Sequence, residues 1–210
     1  MRITLQTLAA IALALVAQAA LADGREMKPN DCPVGLVSGQ TLDQEFGPGS
    51  EELTRCIKKT HHVKVMYQIN QFCASSSTSN SACTKPYALG NIDNMIKDYE
   101  ITNGMEPGRD FEIVVVVHSG GAGLILKDEH MNGAGTWLTG QNQFQSKVES
   151  LMAQGVKFYF CQNTARSLIK SGALPAGDAT AQMIDGVMYT TAGVSAIADF
   201  QALGYSYIQP

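Results

Sequence analysis

The sequence has little positive charge and few aromatic side chains with which to bind nucleic acid. Its 210 residues include 15 Lys and Arg against 19 Asp and Glu, which gives a formal net charge of −4. The basic residues form no block, and the chain has one Trp. Because binding to a phosphate backbone needs clustered positive charge, we expect no nucleic-acid partner.

Several short motifs that indicate known chemistry are also missing. There is no C-x-x-C for a redox couple within one chain and no C-x-x-C-H for covalent haem. The glycine-rich segment of the chain matches neither the Walker A pattern nor G-x-G-x-x-G, and no pair of carboxylates indicates a glycosidase. His61 and His62 do not have the spacing to Cys73 and Cys83 that a standard zinc site requires. We therefore expect no metal and no cofactor.

The first 22 residues have the pattern of a secretory signal peptide. A short cationic start precedes an apolar run from Leu5 to Leu21, and Ala20-Leu21-Ala22 resembles a cleavage signature. Cleavage after Ala22 predicts a mature protein that is periplasmic or secreted and has no membrane anchor. The apolar run is close to the minimum length that spans a bilayer, so an uncleaved anchor stays open as the alternative.

The five cysteines are an odd set for an exported protein. Cys32, Cys56, Cys73 and Cys83 lie in the N-terminal part of the chain, and Cys161 stands apart. An oxidising compartment favours disulfides, and an odd count leaves at least one thiol free or intermolecular. Cys73 and Cys83 flank a serine-rich loop that a disulfide could close, which would leave Cys32 to pair with Cys56. Four cysteines allow three connectivities, so this pairing is a preference.

Strands and helices alternate in the predicted secondary structure of residues 61–210. The preceding residues, 23–60, are predicted to form a polar extension with a short helix at 51–58. Hydrophobic periodicity predicts strands over 62–70, 111–117, 156–161, 186–190 and 205–208. It predicts helices over 86–103, 124–129, 142–154, 163–170 and 192–203, with residues 131–140 irregular. This order predicts one α/β domain with three layers, α/β/α, around a mainly parallel five-stranded sheet.

The junction at Cys161 is the strongest candidate for a reactive site. Cys161 ends a predicted strand, and Asn163 or Thr164 is predicted to be the N-cap of the next helix. The sulfur then faces the positive end of a helix dipole, and Arg166 follows within about one turn. Both features favour the thiolate, which is the reactive form of cysteine. The alternative is an inert buried cysteine that packs as a small hydrophobe.

A second candidate group follows the predicted strand 111–117. His118 lies at the same sheet edge as Cys161 if the two strands are parallel neighbours, and it could then exchange a proton with the sulfur. The alternative is a structural histidine. Gly120 and Gly121 belong to the turn Ser119–Gly123, whose backbone N–H groups could bind a small anion such as a sulfur oxyanion or a carboxylate.

The stretch Gly155–Arg166 resembles the cysteine signature of the DsrE/DsrF-like family, whose members include sulfur-relay proteins. Tyr189–Pro210, Val114–His118 and Tyr67–Asn70 agree with it, so the resemblance extends from about residue 62 to the last residue. It implies a compact α/β/α domain that assembles into homo-oligomers, with a persulfide-carrying cysteine at position 161. Relay members work in the cytoplasm, whereas this chain carries a predicted export signal and four additional cysteines.

Three functions follow as hypotheses. In the first, a periplasmic sulfur carrier or sulfurtransferase accepts sulfane sulfur on Cys161 from a donor protein or small sulfur anion and passes it to an acceptor. The residues that would steer or polarise that sulfur, or bind its donor, are His118, Asn163, Thr164, Arg166, Gly120 and Gly121. In the second, a non-enzymatic protein of the same fold binds a small anion or serves in oligomeric assembly. In the third, Cys161 forms an intermolecular disulfide in a thiol redox role.

Overall fold

The computed structural model describes residues 62–74 and 83–210. The predicted signal peptide, the extension over residues 23–60 with its helix, and the Cys32–Cys56 pair lie outside the described residues. Among the residues described, no helix is both long enough and apolar enough to cross a membrane.

A five-stranded parallel sheet forms the centre of the domain. Its strands are β1 Val63–Ile69, β2 Phe111–Val117, β5 Lys157–Cys161, β6 Met188–Thr190 and β7 Ser206–Ile208. Their order across the sheet is β6-β5-β2-β1-β7, and every neighbouring pair is parallel. The central strand β2 consists largely of buried β-branched residues, as expected of a strand that is covered on both faces. Two further strands, β3 His130–Met131 and β4 Trp137–Leu138, form a separate antiparallel pair.

In the part of the chain that the structure describes, four α-helices connect and cover these strands. They are α1 Leu89–Lys97, α2 Gln145–Ala153, α3 Gln162–Lys170 and α4 Gly193–Ala202. Helix α1 continues as a π-helical turn over Asp98–Thr102, and short 3₁₀ helices occupy Ser119–Leu124 and Thr180–Gln182. The helix predicted over 86–103 therefore covers both α1 and the turn that follows it.

Side chains of the central strands alternate between two hydrophobic cores, because successive residues of a strand point to opposite faces of the sheet. The larger core joins Val115 of β2 to Ile92 of α1 and Leu151 of α2, and α3 packs partly buried side chains against it. The smaller core joins Val114 of β2 to Ala196 of α4. Helices α1 to α3 thus cover one face and α4 covers the other, which confirms the predicted three-layer α/β/α fold.

Three details differ from the predictions. The helix predicted over 124–129 is wrong, because the helical turn lies one segment earlier, at Ser119–Leu124. There the chain passes so close to β1 that a Cβ on Gly121 would lie 2.5 Å from the backbone oxygen of Ile69, so glycine is required. Helix α1 begins at Leu89 because Pro86 pairs with Cys73 in an isolated β-bridge. The segment 131–140, predicted to be irregular, contains part of the β3–β4 pair.

Candidate functional site

The register of the sheet brings the ends of β2 and β5 together. Val117, the last residue of β2, pairs with Phe160 of β5, so His118 and Cys161 lie at the same edge of two neighbouring parallel strands. A cavity of about 430 Å³ opens at this edge. Its lining consists of His118, Ser119, Cys161, Asn163, Thr164, Ser167, Leu168, Ala192, Gly193 and Val194. Ligands of open parallel sheets bind at the carboxyl ends of the strands, which makes this cavity the candidate site.

Cys161 is itself the N-cap of α3, because strand β5 runs into the helix without a connecting residue. The predicted N-caps, Asn163 and Thr164, are therefore wrong, since both lie within the first turn of α3. Cys161 has extended backbone angles and is 5% exposed. Cys161 is therefore at the N-terminus of α3 itself, rather than two or three residues before it as the sequence predicted.

A second helix begins at the same sulfur. Gly193 is the first residue of α4, and its backbone N–H donates a hydrogen bond to Cys161 Sγ over 3.2 Å. Since α3 and α4 cover opposite faces of the sheet, two helix N-termini meet at one thiol. Each N-terminus carries a partial positive charge that stabilises a nearby anion.

The protonation of Cys161 reflects a balance between burial and these donors. Burial by itself would raise the pKa of the Cys161 thiol, because a thiolate loses its hydration. The backbone N–H groups of Thr164, Gly193 and Asn163, with the Thr164 hydroxyl, outweigh burial and lower the pKa below its ordinary value. The thiolate, which is the nucleophilic form, is therefore more favoured here than in an ordinary cysteine.

His118 is held by two polar side chains. Its Nε2 lies 2.6 Å from Gln68 Nε2, and its Nδ1 lies 2.9 Å from Ser119 Oγ. In the part of the chain that the structure describes, neither ring nitrogen is hydrogen-bonded to Cys161. Burial lowers the pKa of His118, so the ring is neutral at neutral pH. His118 therefore contributes an uncharged polar wall to the cavity.

Ser119 links the end of β2 to α3. It has a left-handed backbone conformation, with φ at 51°, which costs a non-glycine residue on the order of 1 kcal/mol or more. In this conformation its N–H donates a hydrogen bond to Thr164 Oγ1 over 3.0 Å. Ser119 thus fixes the side chain of Thr164 in the first turn of α3.

The remaining predicted site residues fall into two groups. Asn163 and Thr164, which were predicted to bind substrate, line the cavity. Gly120, Gly121 and Arg166 are not part of the lining. A Cβ on Gly120 would lie 2.9 Å from the backbone oxygen of Asn70, so these glycines permit close packing against β1. The exposed Arg166 donates a hydrogen bond from Nη1 to Asn163 Oδ1 over 2.8 Å and reaches the site through that residue.

Sequence reasoning missed Gly193, whose backbone N–H donates a hydrogen bond to the sulfur. One signal was available, because Gly193 follows the predicted strand 186–190 and lies in the first turn of the predicted helix 192–203. The carboxyl ends of parallel strands lie at one edge, so the start of this helix belonged with the other site residues. Gln68, at the end of β1, was missed in the same way.

The other described cysteines are paired. Cys73 and Cys83 form a disulfide with Cα atoms 5.7 Å apart, which confirms this predicted pair. Cys161 is the free cysteine of the described residues. Over residues 62–74 and 83–210, no group of three or more His, Cys, Asp or Glu side chains is placed to hold a metal ion.

Comparison with known proteins relates the fold and the site to one family. The model of the DsrE/DsrF-like family matches residues 72–210, a range that contains Cys161 and the whole cavity lining. No curated protein matches the chain. Among solved structures, that of MTH1491, a protein of unknown function from Methanobacterium thermoautotrophicum, matches with 25% identity and a TM-score of 0.47. The match covers 70% of this chain and 99% of that protein.

Proposed function

This chain belongs to the DsrE/DsrF-like family, and on that basis we propose that it is a sulfur carrier or sulfurtransferase-type protein that uses Cys161. One observation carries the proposal. The sulfur of Cys161 accepts a hydrogen bond from the backbone N–H of Gly193 over 3.2 Å, at the point where the N-termini of two helices meet. Cys161 also lines an open cavity. This environment favours an ionised thiol that a small sulfur compound can reach.

Sulfur uptake requires one displacement at sulfur. The Cys161 thiolate attacks the outer sulfur of a donor persulfide, R–S–SH, and forms a new S–S bond to it. The original bond between the two donor sulfurs breaks, and its electron pair leaves with the thiolate RS⁻. With thiosulfate as donor, the leaving group is sulfite. Negative charge passes from the attacking to the leaving sulfur, so no oxidant or reductant is needed.

Sulfur delivery reverses the roles. An acceptor thiolate attacks the outer sulfur of the Cys161 persulfide, and Cys161 leaves as a thiolate. The Gly193 N–H and the two helix dipoles stabilise Sγ as an anion both before uptake and during delivery. A lowered thiol pKa also makes Cys161 a better leaving group.

The cavity lining defines which donors fit. It contains no Asp, Glu, Lys or Arg side chain and combines polar groups, such as Asn163 and Ser167, with the apolar Leu168 and Val194. Its volume of about 430 Å³ exceeds what a small inorganic sulfur anion needs and falls within the range of small-molecule sites. A small sulfur anion, or the persulfide group of a larger donor, would have access to Sγ.

Mass spectrometry of the intact protein after incubation with polysulfide or thiosulfate tests the proposal. We expect a gain of one sulfur atom that cyanide removes and that Cys161→Ser abolishes. The double variant Cys73→Ser/Cys83→Ser is the matched control and should still take up sulfur, because its cysteines lie outside the cavity lining. An unmodified wild-type protein, or a gain that persists in Cys161→Ser, would contradict the proposal.

A second function has support from the same geometry. Two helix N-termini and an uncharged polar lining are suited to binding a small anion without reaction. Thiosulfate binding by an unmodified protein, retained in Cys161→Ser, would favour this alternative. Dimers that dissociate on adding reductant would instead favour the redox role through an intermolecular disulfide.

We also propose that the protein works in an exported, oxidising compartment. The predicted signal peptide and the Cys73–Cys83 disulfide support this location, since disulfides persist there. The same intact-mass measurement on protein from exporting cells should show a chain that begins at Asp23. A chain that retains residues 1–22 in the cytoplasm would contradict export. Assembly into homo-oligomers stays a prediction from the family resemblance.

A further inference from the structure

A line of hydrogen bonds runs along the carboxyl edge of the sheet toward Cys161. It begins at Tyr207 on the edge strand β7 and passes through Gln68 on β1 to His118 after β2. The Tyr207 hydroxyl donates to Gln68 Oε1. The amide nitrogen of Gln68 lies 2.6 Å from His118 Nε2.

The chemistry of the amide fixes the direction of these bonds. Because Tyr207 donates to the oxygen of Gln68, the nitrogen of Gln68 faces the imidazole ring. An amide nitrogen only donates, so His118 Nε2 must accept. The single proton of the neutral ring then lies on Nδ1, which donates to Ser119 Oγ over 2.9 Å.

The line of hydrogen bonds continues from His118 through Ser119 to the first turn of α3. The bond from His118 holds the side chain of Ser119, a residue whose φ of 51° is uncommon for serine. In that conformation the Ser119 N–H donates to Thr164 Oγ1 over 3.0 Å. With this oxygen as the acceptor, the hydroxyl proton of Thr164 is free to form the hydrogen bond to Cys161 that helps to lower the pKa of the thiol.

We propose that Gln68 and Tyr207 are positioning residues for the Cys161 thiolate. They fix His118 with its proton on Nδ1, His118 fixes Ser119, and Ser119 orients Thr164 at the sulfur. The cavity lining contains no Asp, Glu, Lys or Arg side chain that could compete for the His118 ring. The inference rests on the proposed function for its catalytic meaning, but its test requires no sulfur transfer.

Nitrogen-15 NMR of the imidazole of His118 tests the first step. We expect the proton on Nδ1 in the wild-type protein at neutral pH. In Gln68→Leu the ring should lose this preference and populate both neutral tautomers, and Tyr207→Phe should shift the populations in the same direction. Gln209→Leu is the matched control. Its Oε1 lies 2.8 Å from the same tyrosine hydroxyl, whose single proton is donated to Gln68, and among the described residues no hydrogen bond joins Gln209 to His118, so the tautomer should not change.

The alkylation rate of Cys161 tests the second step. At neutral pH, Gln68→Leu and Tyr207→Phe should react roughly two- to tenfold more slowly, the effect of one weakened hydrogen bond to a charged group. Their rate-against-pH profiles should move to higher pH, whereas the Gln209→Leu profile should coincide with that of the wild type.

A proton on Nε2 in the wild type, or unchanged tautomer and alkylation in both variants, would overturn the inference. If Gln68→Leu fails to fold, Tyr207→Phe decides, because Tyr207 is 39% exposed and its ring remains. A protein that shows the expected tautomer and rates but takes up no sulfur would overturn the proposed function and leave this inference standing.

Discussion

Gly193 separates the two chemically important side chains of the site. Its N–H lies 3.2 Å from Cys161 Sγ, and a Cβ built on it would lie 3.1 to 3.2 Å from the Cβ, Cγ and Cδ2 atoms of His118. That spacing is tighter than most van der Waals contacts. Because His118 is held by Gln68 and Ser119, it has little room to move away.

We therefore expect Gly193→Ala to displace the start of α4 and weaken the bond to the sulfur. Sulfur loading, measured by intact mass against time, should slow roughly two- to tenfold. Overpacking should also lower the free energy of unfolding by about 1 to 3 kcal/mol.

The control for this substitution is Gly90→Ala in α1. A Cβ there meets nothing within 4 Å, so the variant should keep full loading and be as stable as the wild type or more stable. Normal loading by Gly193→Ala would show that the Gly193 N–H is not needed at the sulfur.

How far the site could be predicted depends on whether its contacts are local in sequence. The position of Cys161 at a strand end beside a helix N-terminus follows from the adjacent residues, and the prediction placed it correctly. The bond from Gly193 joins residues 32 positions apart and depends on the order of strands in the sheet. The roles of Gln68 and Tyr207 depend on β1 pairing with both β2 and β7.

At the level of elements, strands were easier to predict than turns. The β-branched run of β2 has the same bounds as its prediction, because a strand buried on both faces needs a continuous apolar sequence. The turn after it was placed too late, since its helical conformation depends on contact between Gly121 and the backbone of Ile69. Such contacts between distant segments leave no periodic pattern in the sequence.

The Cys73–Cys83 disulfide stabilises the connection between β1 and α1. It closes a loop with a sequence separation of 10, and a cross-link of that size contributes about 2 to 3 kcal/mol. The double variant Cys73→Ser/Cys83→Ser should lose about this much free energy of unfolding in denaturant titration. Because both cysteines lie outside the cavity lining, sulfur uptake by the folded variant should not change. A loss of uptake in the folded variant would show that the disulfide also shapes the site.

At the level of the whole molecule, the parallel sheet is what assembles the site. All five strands end at one edge, and helices from both faces begin there. The larger core holds α1, α2 and α3 in place, whereas α4 packs on the second face. The thiol therefore receives donors from two layers that only the complete fold brings together.

This arrangement also relates the ionisation of Cys161 to folding. The pKa of the thiol is lowered in the folded protein, so the folded state favours the thiolate more strongly than the unfolded state does. The resulting stabilisation is fully present above the pKa of the unfolded thiol, about 8.5, and is lost as the pH falls through the folded-state pKa.

The most direct test of the central claim is the rate at which Cys161 is alkylated as a function of pH. The rate would be followed by peptide mapping with iodoacetamide, in the native protein and in the same protein unfolded in denaturant. We expect the native profile to have its midpoint at lower pH than the unfolded profile, with measurable reaction at neutral pH. A native midpoint at or above the unfolded one, or a thiol that does not react while the protein is folded, would contradict an accessible thiolate at position 161.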